Sequence, residues 1–94
     1  MYYKANIYNK TMTLANTEYS QALSADCKKV LIKERSGGSD VKLAYAVGTS
    51  GSVYITVPAS SSKSLEGIQL RGLTLYFQCP DAGKVLEIEE WLYQ

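Results

Sequence analysis

The chain contains no histidine. Histidine is the commonest general base, a frequent metal ligand and the base of Ser-His triads. The glycines at 37–38 and 48–51 also lack the Lys-Ser/Thr continuation of a phosphate-binding loop. We therefore expect a protein that is not an enzyme and that holds no metal or cofactor.

The chain also has almost no excess of positive or negative charge. Ten Lys plus Arg residues stand against nine Asp plus Glu, a formal charge of +1, and charged residues make up 20% of the chain. Nucleic-acid binding needs clustered positive charge, and spanning a bilayer needs a long apolar run that this chain lacks. The start, Met1 to Asn6, has no features of a signal peptide. We expect no nucleic acid, no membrane and no secretion.

Two cysteines, Cys27 and Cys79, lie far apart and form no CxxC motif. That spacing predicts neither a zinc site nor a redox motif. Two interpretations remain open. The two cysteines are either free thiols that act as small buried apolar groups, or partners in a disulfide between the third and seventh strands. Assembly in the cytosol favours thiols.

What the chain does have is the alternation of β-strands. Apolar and polar residues alternate in short runs, turns recur about every eight to twelve residues, and no helical periodicity is present. The sequence predicts an all-β protein, a single antiparallel, jelly-roll-like β-sandwich of about seven to nine short strands. The domain covers residues 1–94, with residues 1–18 as a peripheral strand or arm.

The clearest predicted hairpin covers residues 72–88, where two alternating runs flank a turn containing Pro80, Asp81 and Gly83. Its two strands and their neighbours predict one core, made of Val30, Ile32, Ile55, Val57, Leu75, Phe77 and Ile88. Trp91 has the opposite parity to Ile88, so burying both would require a β-bulge near Glu89.

The remaining elements follow from the same alternation. Residues 2–8 predict a strand with Tyr3, Ala5 and Ile7 on the more buried face, followed by a turn at 9–10 and a short strand at 11–14. Further strands are predicted at 17–23 and 65–70, hairpin turns at 36–40 and 48–52, and a surface loop at 58–64. The side chains predicted to face inward on the strands around the 48–52 turn are Val41, Leu43, Tyr45, Val47 and Val53.

Two charged clusters each have two interpretations. Lys29, Lys33 and Arg35 form either a basic patch or a solvated strand face that discourages edge pairing. Glu87 and Glu89, next to Glu90, form either a pair of catalytic acids, as in glycosidases, or a solvated face.

Aromatic residues are abundant, with eight Tyr, one Trp and one Phe. On a sheet they could form cross-strand pairs, a protein interface or a stacking platform for sugars. The candidate interface residues are Tyr2, Tyr3, Tyr8, Tyr54, Tyr76, Trp91 and Tyr93. Because a core of this size is small and sheet edges need cover, we expect a homo-oligomer, a trimer or dimer.

The layout resembles the small β-sandwich structural proteins of tailed bacteriophages, of the capsid-decoration, head-fibre or accessory-tail type. Residues 19–92 carry the resemblance. Its segments are Gln21-Ala22-Leu23, Cys27 to Lys33 with the Gly/Asp turn that follows, Val47-Gly48, Ile68-Gln69-Leu70, Leu75-Tyr76-Phe77, Ala82-Gly83 and Ile88 to Trp91. Relatives often have a Pro-Gly turn before the Ile68 segment, where this chain has Ser62 to Gly67.

The resemblance implies a non-enzymatic virion protein, made in the host cytoplasm. Such a protein decorates or cements the outside of the capsid, or anchors a head or tail fibre. Its implied partner is the major capsid protein or another virion component. The alternative from the aromatic residues is a carbohydrate- or receptor-binding module.

Overall fold

The structure is a computed structural model that describes residues 3–93, apart from the side chains of Tyr3, Ile68 and Tyr93. Eight strands are present in this range. They are β1 (Tyr3–Met12), β2 (Tyr19–Ala22), β3 (Cys27–Glu34), β4 (Val41–Ala44), β5 (Ile55–Val57), β6 (Ser62–Glu66), β7 (Thr74–Gln78) and β8 (Lys84–Tyr93). A single 3₁₀ turn covers Ile68–Leu70. No helix of the described range is long and apolar enough to cross a membrane.

The strands form two antiparallel four-stranded sheets. Sheet A has the order β1-β8-β3-β6, and sheet B has the order β2-β7-β4-β5. With eight strands in these two orders, the chain has the topology of a jelly roll. The predicted fold class, an all-β antiparallel sandwich, is confirmed.

One hydrophobic core fills the space between the sheets. Six of the seven predicted core residues are buried, because β3, β7 and β8 keep the regular alternation from which their inward faces were predicted. The prediction for Ile55 is wrong, since its side chain is 43% exposed. Ile55 begins β5, a three-residue edge strand of which only Val57 is buried.

The predicted hairpin at 72–88 is wrong in its pairing. β7 belongs to sheet B, where it pairs with β2 and β4, while β8 belongs to sheet A, where it pairs with β1 and β3. The connection at 79–83 therefore crosses from one sheet to the other. The turn at 36–40 likewise joins β3 of sheet A to β4 of sheet B. Alternation determines which face is buried but not which strand is the hydrogen-bonded neighbour.

The N-terminal strand also differs from its prediction. β1 continues through Asn9 without a turn and pairs with β8 along its whole length. Its inward face is the even one, because Tyr8 lies opposite buried Ile88 and packs against the core, whereas Ile7 is 68% exposed. The facing predicted for residues 2–8 is therefore wrong for the described part of the strand.

Several shorter predictions are corrected too. β4 ends at Ala44, so Tyr45 and Val47 project into solvent, and so does Val53. The predicted loop at 58–64 contains the start of β6, and the predicted strand at 65–70 ends at Glu66 before the 3₁₀ turn.

The β8 strand needs no bulge near Glu89. Its pairing with β1 is continuous, and Trp91 stays 38% exposed on the outer face, while Glu90 and Leu92 continue the buried face. The irregularity in sheet A lies on β3, between Cys27 and Lys29. Both cysteines, Cys27 and Cys79, are buried free thiols, so the thiol interpretation is confirmed.

Candidate protein-binding surfaces

Five of the eight large apolar side chains that are exposed in the described part of the chain lie on the β4–β5 hairpin. We name this group the β4–β5 patch, and it consists of Tyr45, Val47, Val53, Tyr54 and Ile55. Val47 and Val53 are 74% and 73% exposed, far more than branched apolar side chains in a sandwich usually are. Exposed apolar residues that cluster in this way mark contact sites more often than solitary ones do.

The loop that carries this patch is held in place by a carboxylate from another connection. Glu18, just before β2, accepts hydrogen bonds from the backbone amides of Gly48 (2.7 Å) and Ser50 (3.0 Å) and from the Ser50 hydroxyl (2.5 Å). The Ser50 hydroxyl, and then the Gly48 and Ser50 amides, lower the pKa of Glu18 against the opposing effect of desolvation. Gly48 has a φ of 76°, which a residue with a Cβ rarely adopts.

Hydrogen bonds inside the loop add to this restraint. The Thr49 amide and hydroxyl both donate to the Ala46 carbonyl, at 3.3 and 2.6 Å, and the Val53 amide donates to the Thr49 carbonyl at 2.8 Å. The apolar side chains are thus presented on a backbone that is already ordered. Such preorganisation reduces the entropy lost when a partner binds.

A groove of about 490 Å³ runs along the patch, floored by Leu43 and Ala44 and bordered by Tyr45, Val53 and Tyr54. Desolvation there raises the pKa of Tyr45. The Lys42 ammonium lies 5.0 Å from the centre of the Tyr54 ring, a cation–π distance. Tyr54 is therefore oriented by a neighbour on the same sheet face.

A second groove, of about 400 Å³, also borders this loop, at Val47. Its lining residues are Lys10, Glu18, Tyr19, Ser20, Val47 and Tyr76. It combines two tyrosine rings, hydroxyl groups, a carboxylate and an ammonium group. That mixture is chemically suited to a polar ligand with an apolar face.

The outer face of sheet A is a third surface, and the strand registers arrange it in rows. One row is Ala5, Trp91, Lys29 and Glu66; the next is Ile7, Glu89, Leu31 and Ser64; the third is Asn9, Glu87, Lys33 and Ser62. Each row crosses the sheet in the order β1, β8, β3, β6. The outer β8 column is therefore acidic and the adjacent outer β3 column is basic.

Few of these charges are neutralised within the chain. Arg35 Nε contacts Glu87 Oε2 at 2.9 Å, while Glu89 Oε1 accepts a hydrogen bond of 2.8 Å from Trp91 Nε1. Among the described side chains, neither Lys29 nor Lys33 takes part in an ion pair within 4.0 Å. The solvated-face interpretation of Glu87 and Glu89 agrees with this position, because both lie on the outer side of a regular strand.

The third acid of that run, Glu90, is on the inner side and completely buried. Its carboxylate accepts hydrogen bonds from Asn6 Nδ2 (3.2 Å), the Tyr8 hydroxyl (2.9 Å) and the Ser24 amide (2.5 Å). Burial, followed by the charge and hydrogen bond of Glu90, raises the pKa of the Cys27 thiol to about 11. A thiol so rarely ionised at neutral pH is a poor nucleophile.

The structure distributes the predicted interface residues over different surfaces. Tyr54 lies in the β4–β5 patch, Tyr76 in the second groove and Trp91 on the outer face of sheet A. Tyr8 points inward, and its hydroxyl donates a hydrogen bond to Glu90. Tyr2 is outside the described residues, and so are the side chains of Tyr3 and Tyr93, whose backbones pair at the end of β1 and β8.

Sequence reasoning missed Val47 and Val53, the most exposed members of the patch, because the strand alternation was extended across them. The signal against that extension was present. Gly48, Thr49, Ser50 and Gly51 stand between the two valines, and such residues favour a loop over a pair of long strands.

Comparison of the chain with models of protein families and with curated protein sequences yields no match. Arguments about function therefore rest on the surfaces and on the resemblance described from the sequence.

Proposed function

We propose that the chain is a non-enzymatic structural protein of a phage virion, which decorates or cements the outside of the capsid or anchors a head or tail fibre. Its partner is the major capsid protein or another virion component. The sequence resemblance is the reason for naming a virion. Jelly rolls are frequent in viral capsid proteins, though a fold alone does not define a function.

The observation that supports the proposal most is the β4–β5 patch. Apolar and aromatic side chains project from a loop that Glu18 fixes in place. A rigid group of aromatic and aliphatic side chains is what a protein partner can bury with little loss of entropy. Exposed apolar side chains of this kind also need a partner to stay out of water.

The test adds purified protein to particles of the encoding phage that lack it and measures co-sedimentation. We expect the parent to bind at a fixed copy number per particle. The double variant Val47→Ser, Val53→Ser should lose at least about 90% of binding, since burying an exposed valine contributes on the order of 1–2 kcal/mol. Leu14→Ser is the matched control, because Leu14 is 60% exposed but lies outside the patch.

Failure of the parent to bind particles would refute the proposal. If the double variant still binds, the contact with the virion lies on another surface of the protein.

A carbohydrate-binding module is the second candidate, and the second groove favours it. Tyr76 offers a ring face, while Ser20 and Lys10 offer hydrogen-bond donors beside it. A glycan array separates the two functions. Binding to a defined glycan that is lost in Tyr76→Ala would support the module, whereas a blank array with particle binding would support the virion protein.

A further inference from the structure

The outer face of sheet A carries balanced charge in separate columns. Lys29, Lys33 and Arg35 follow one another on and just after β3, and Glu87 and Glu89 follow one another on β8. Glu66 on β6 is the third acid of the face. Three positive and three negative groups thus share a surface on which the structure shows one ion pair among the described side chains, that between Arg35 and Glu87.

This arrangement is complementary to itself. A two-fold axis that runs parallel to the strands, between β8 and β3, places the β3 column of a second copy over the β8 column of the first. The same rotation places the β8 column of the second copy over the β3 column of the first, so the favourable pairing occurs twice. An axis perpendicular to the strands would instead place acid over acid and base over base.

We infer that the outer face of sheet A is a dimer interface, on which a second copy of the chain packs face to face about this two-fold axis. The inference does not depend on the virion proposal, because it uses a different surface. Sheets that pack face to face keep their strand directions within about 30° of each other, which this axis allows.

Apolar side chains lie among the charges. Ile7 and Trp91 are exposed, Leu31 is half-buried, and a shallow groove joins Ile7 and Leu31 beside Glu89. In the dimer Trp91 of one copy lies over the row that contains Lys29 of the other, where a cation–π contact can form. Burial of these side chains supplies attraction that salt does not screen.

The size of the face sets the strength of the dimer. Four strands about 4.8 Å apart and up to ten residues long give roughly 600 Å² per copy. A standard interface buries about 800 Å² per partner. We therefore expect a weak dimer with a dissociation constant in the micromolar range, and one that weakens as ionic strength rises.

The experiment is sedimentation equilibrium on the whole chain with reciprocal charge reversals. The axis keeps each row over itself, so Glu87 of one copy lies over Lys33 of the other. Glu87→Lys therefore places an ammonium group opposite Lys33, and Lys33→Glu places a carboxylate opposite Glu87. Each variant alone should dimerise at least about tenfold more weakly than the parent. An equimolar mixture should regain heterodimers of near-parental affinity, because the lysine introduced at position 87 of one copy then faces the glutamate introduced at position 33 of the other.

Asp26→Lys and Arg71→Glu are matched controls. They make the same changes of charge at exposed positions outside the face, and dimerisation should stay within about twofold of the parent. Urea unfolding of all four variants verifies that the fold is intact.

Three results would overturn the inference. One is a parent protein that stays monomeric up to about 500 μM in low salt, well above a micromolar dissociation constant. Another is a dimer that the face variants weaken no more than the controls do. The last is a dimer that Val53→Ser abolishes while Glu87→Lys leaves it intact, which would assign the contact to the β4–β5 patch.

Discussion

The Tyr8 hydroxyl donates a hydrogen bond of 2.9 Å to Glu90 Oε1. This bond joins β1 to β8 within sheet A, on the face that is turned towards sheet B. The same carboxylate accepts from Asn6 on β1 and from the Ser24 amide in the β2–β3 connection. Glu90 thus ties an edge strand, a central strand and a connection to one another. A buried carboxylate is tolerated there because donors surround it.

Replacing Glu90 with leucine should therefore be strongly destabilising. The substitution removes the acceptor and leaves three donors without their partner, and a loss of about 2–5 kcal/mol in the free energy of unfolding follows. Tyr8→Phe removes one donor and should cost about 1–3 kcal/mol. Urea denaturation measures both. Glu89→Gln, one residue away on the outer face, is the control and should stay within about 0.5 kcal/mol.

Phe77 and Ile55 provide a test of the core. Both were predicted from alternation to face inward, but Phe77 is fully buried and Ile55 is 43% exposed. Phe77→Ala should cost about 3–5 kcal/mol, the range for truncating a buried aromatic residue. Ile55→Ala should cost only about 1 kcal/mol, because 43% of the Ile55 side chain is already in solvent. Equal losses for the two variants in urea would contradict the exposure of β5.

Glu34 should make stability depend on pH in the acidic range. Burial alone would raise the pKa of Glu34. Hydrogen bonds from the Ser36 hydroxyl and amide and the Ser39 amide, together with the charge of Lys84, outweigh burial, so that the pKa is lowered. The unfolded chain then takes up the proton at higher pH than the folded protein does.

Stability from Glu34 is accordingly complete above the ordinary glutamate pKa of about 4.3 and is lost as pH falls through the lower folded value. Urea midpoints measured between pH 6 and pH 2.5 should fall towards the acid end. The fall should be smaller in Glu34→Gln, which has no proton to take up. A variant whose pH dependence equals that of the parent would show that Glu34 is not responsible.

Cys27 should be almost unreactive in the folded protein. Its thiol is buried, and its pKa of about 11 leaves little thiolate at pH 8. Compared with an ordinary thiol of pKa about 8.5, alkylation by iodoacetamide should be slower by a factor on the order of 100. Mass spectrometry after timed labelling locates the modified residue. Labelling in urea should restore the normal rate, and rapid labelling of Cys27 without urea would contradict its burial beside Glu90.

Alternation along the chain was enough to predict the class of fold and most of the core. In β3, β7 and β8, which supply Val30, Ile32, Leu75, Phe77 and Ile88, a period of two shows directly which side chains are buried. This information is local, since each strand carries its own alternation. It required no knowledge of the neighbouring strands.

The pairing of the strands, and the choice of apolar residues that stay outside the core, depend on contacts between segments far apart in the chain. The alternation on either side of residues 79–83 is the same whether this connection closes a hairpin or crosses between sheets. In the structure it crosses, because β7 pairs in sheet B and β8 pairs in sheet A. Ile7 and Tyr8 exchange their expected faces because β8 sets the register of β1. Val47 and Val53 stay in solvent because β4 and β5 are too short to extend to them, so the candidate binding surface emerges only when strand lengths are known.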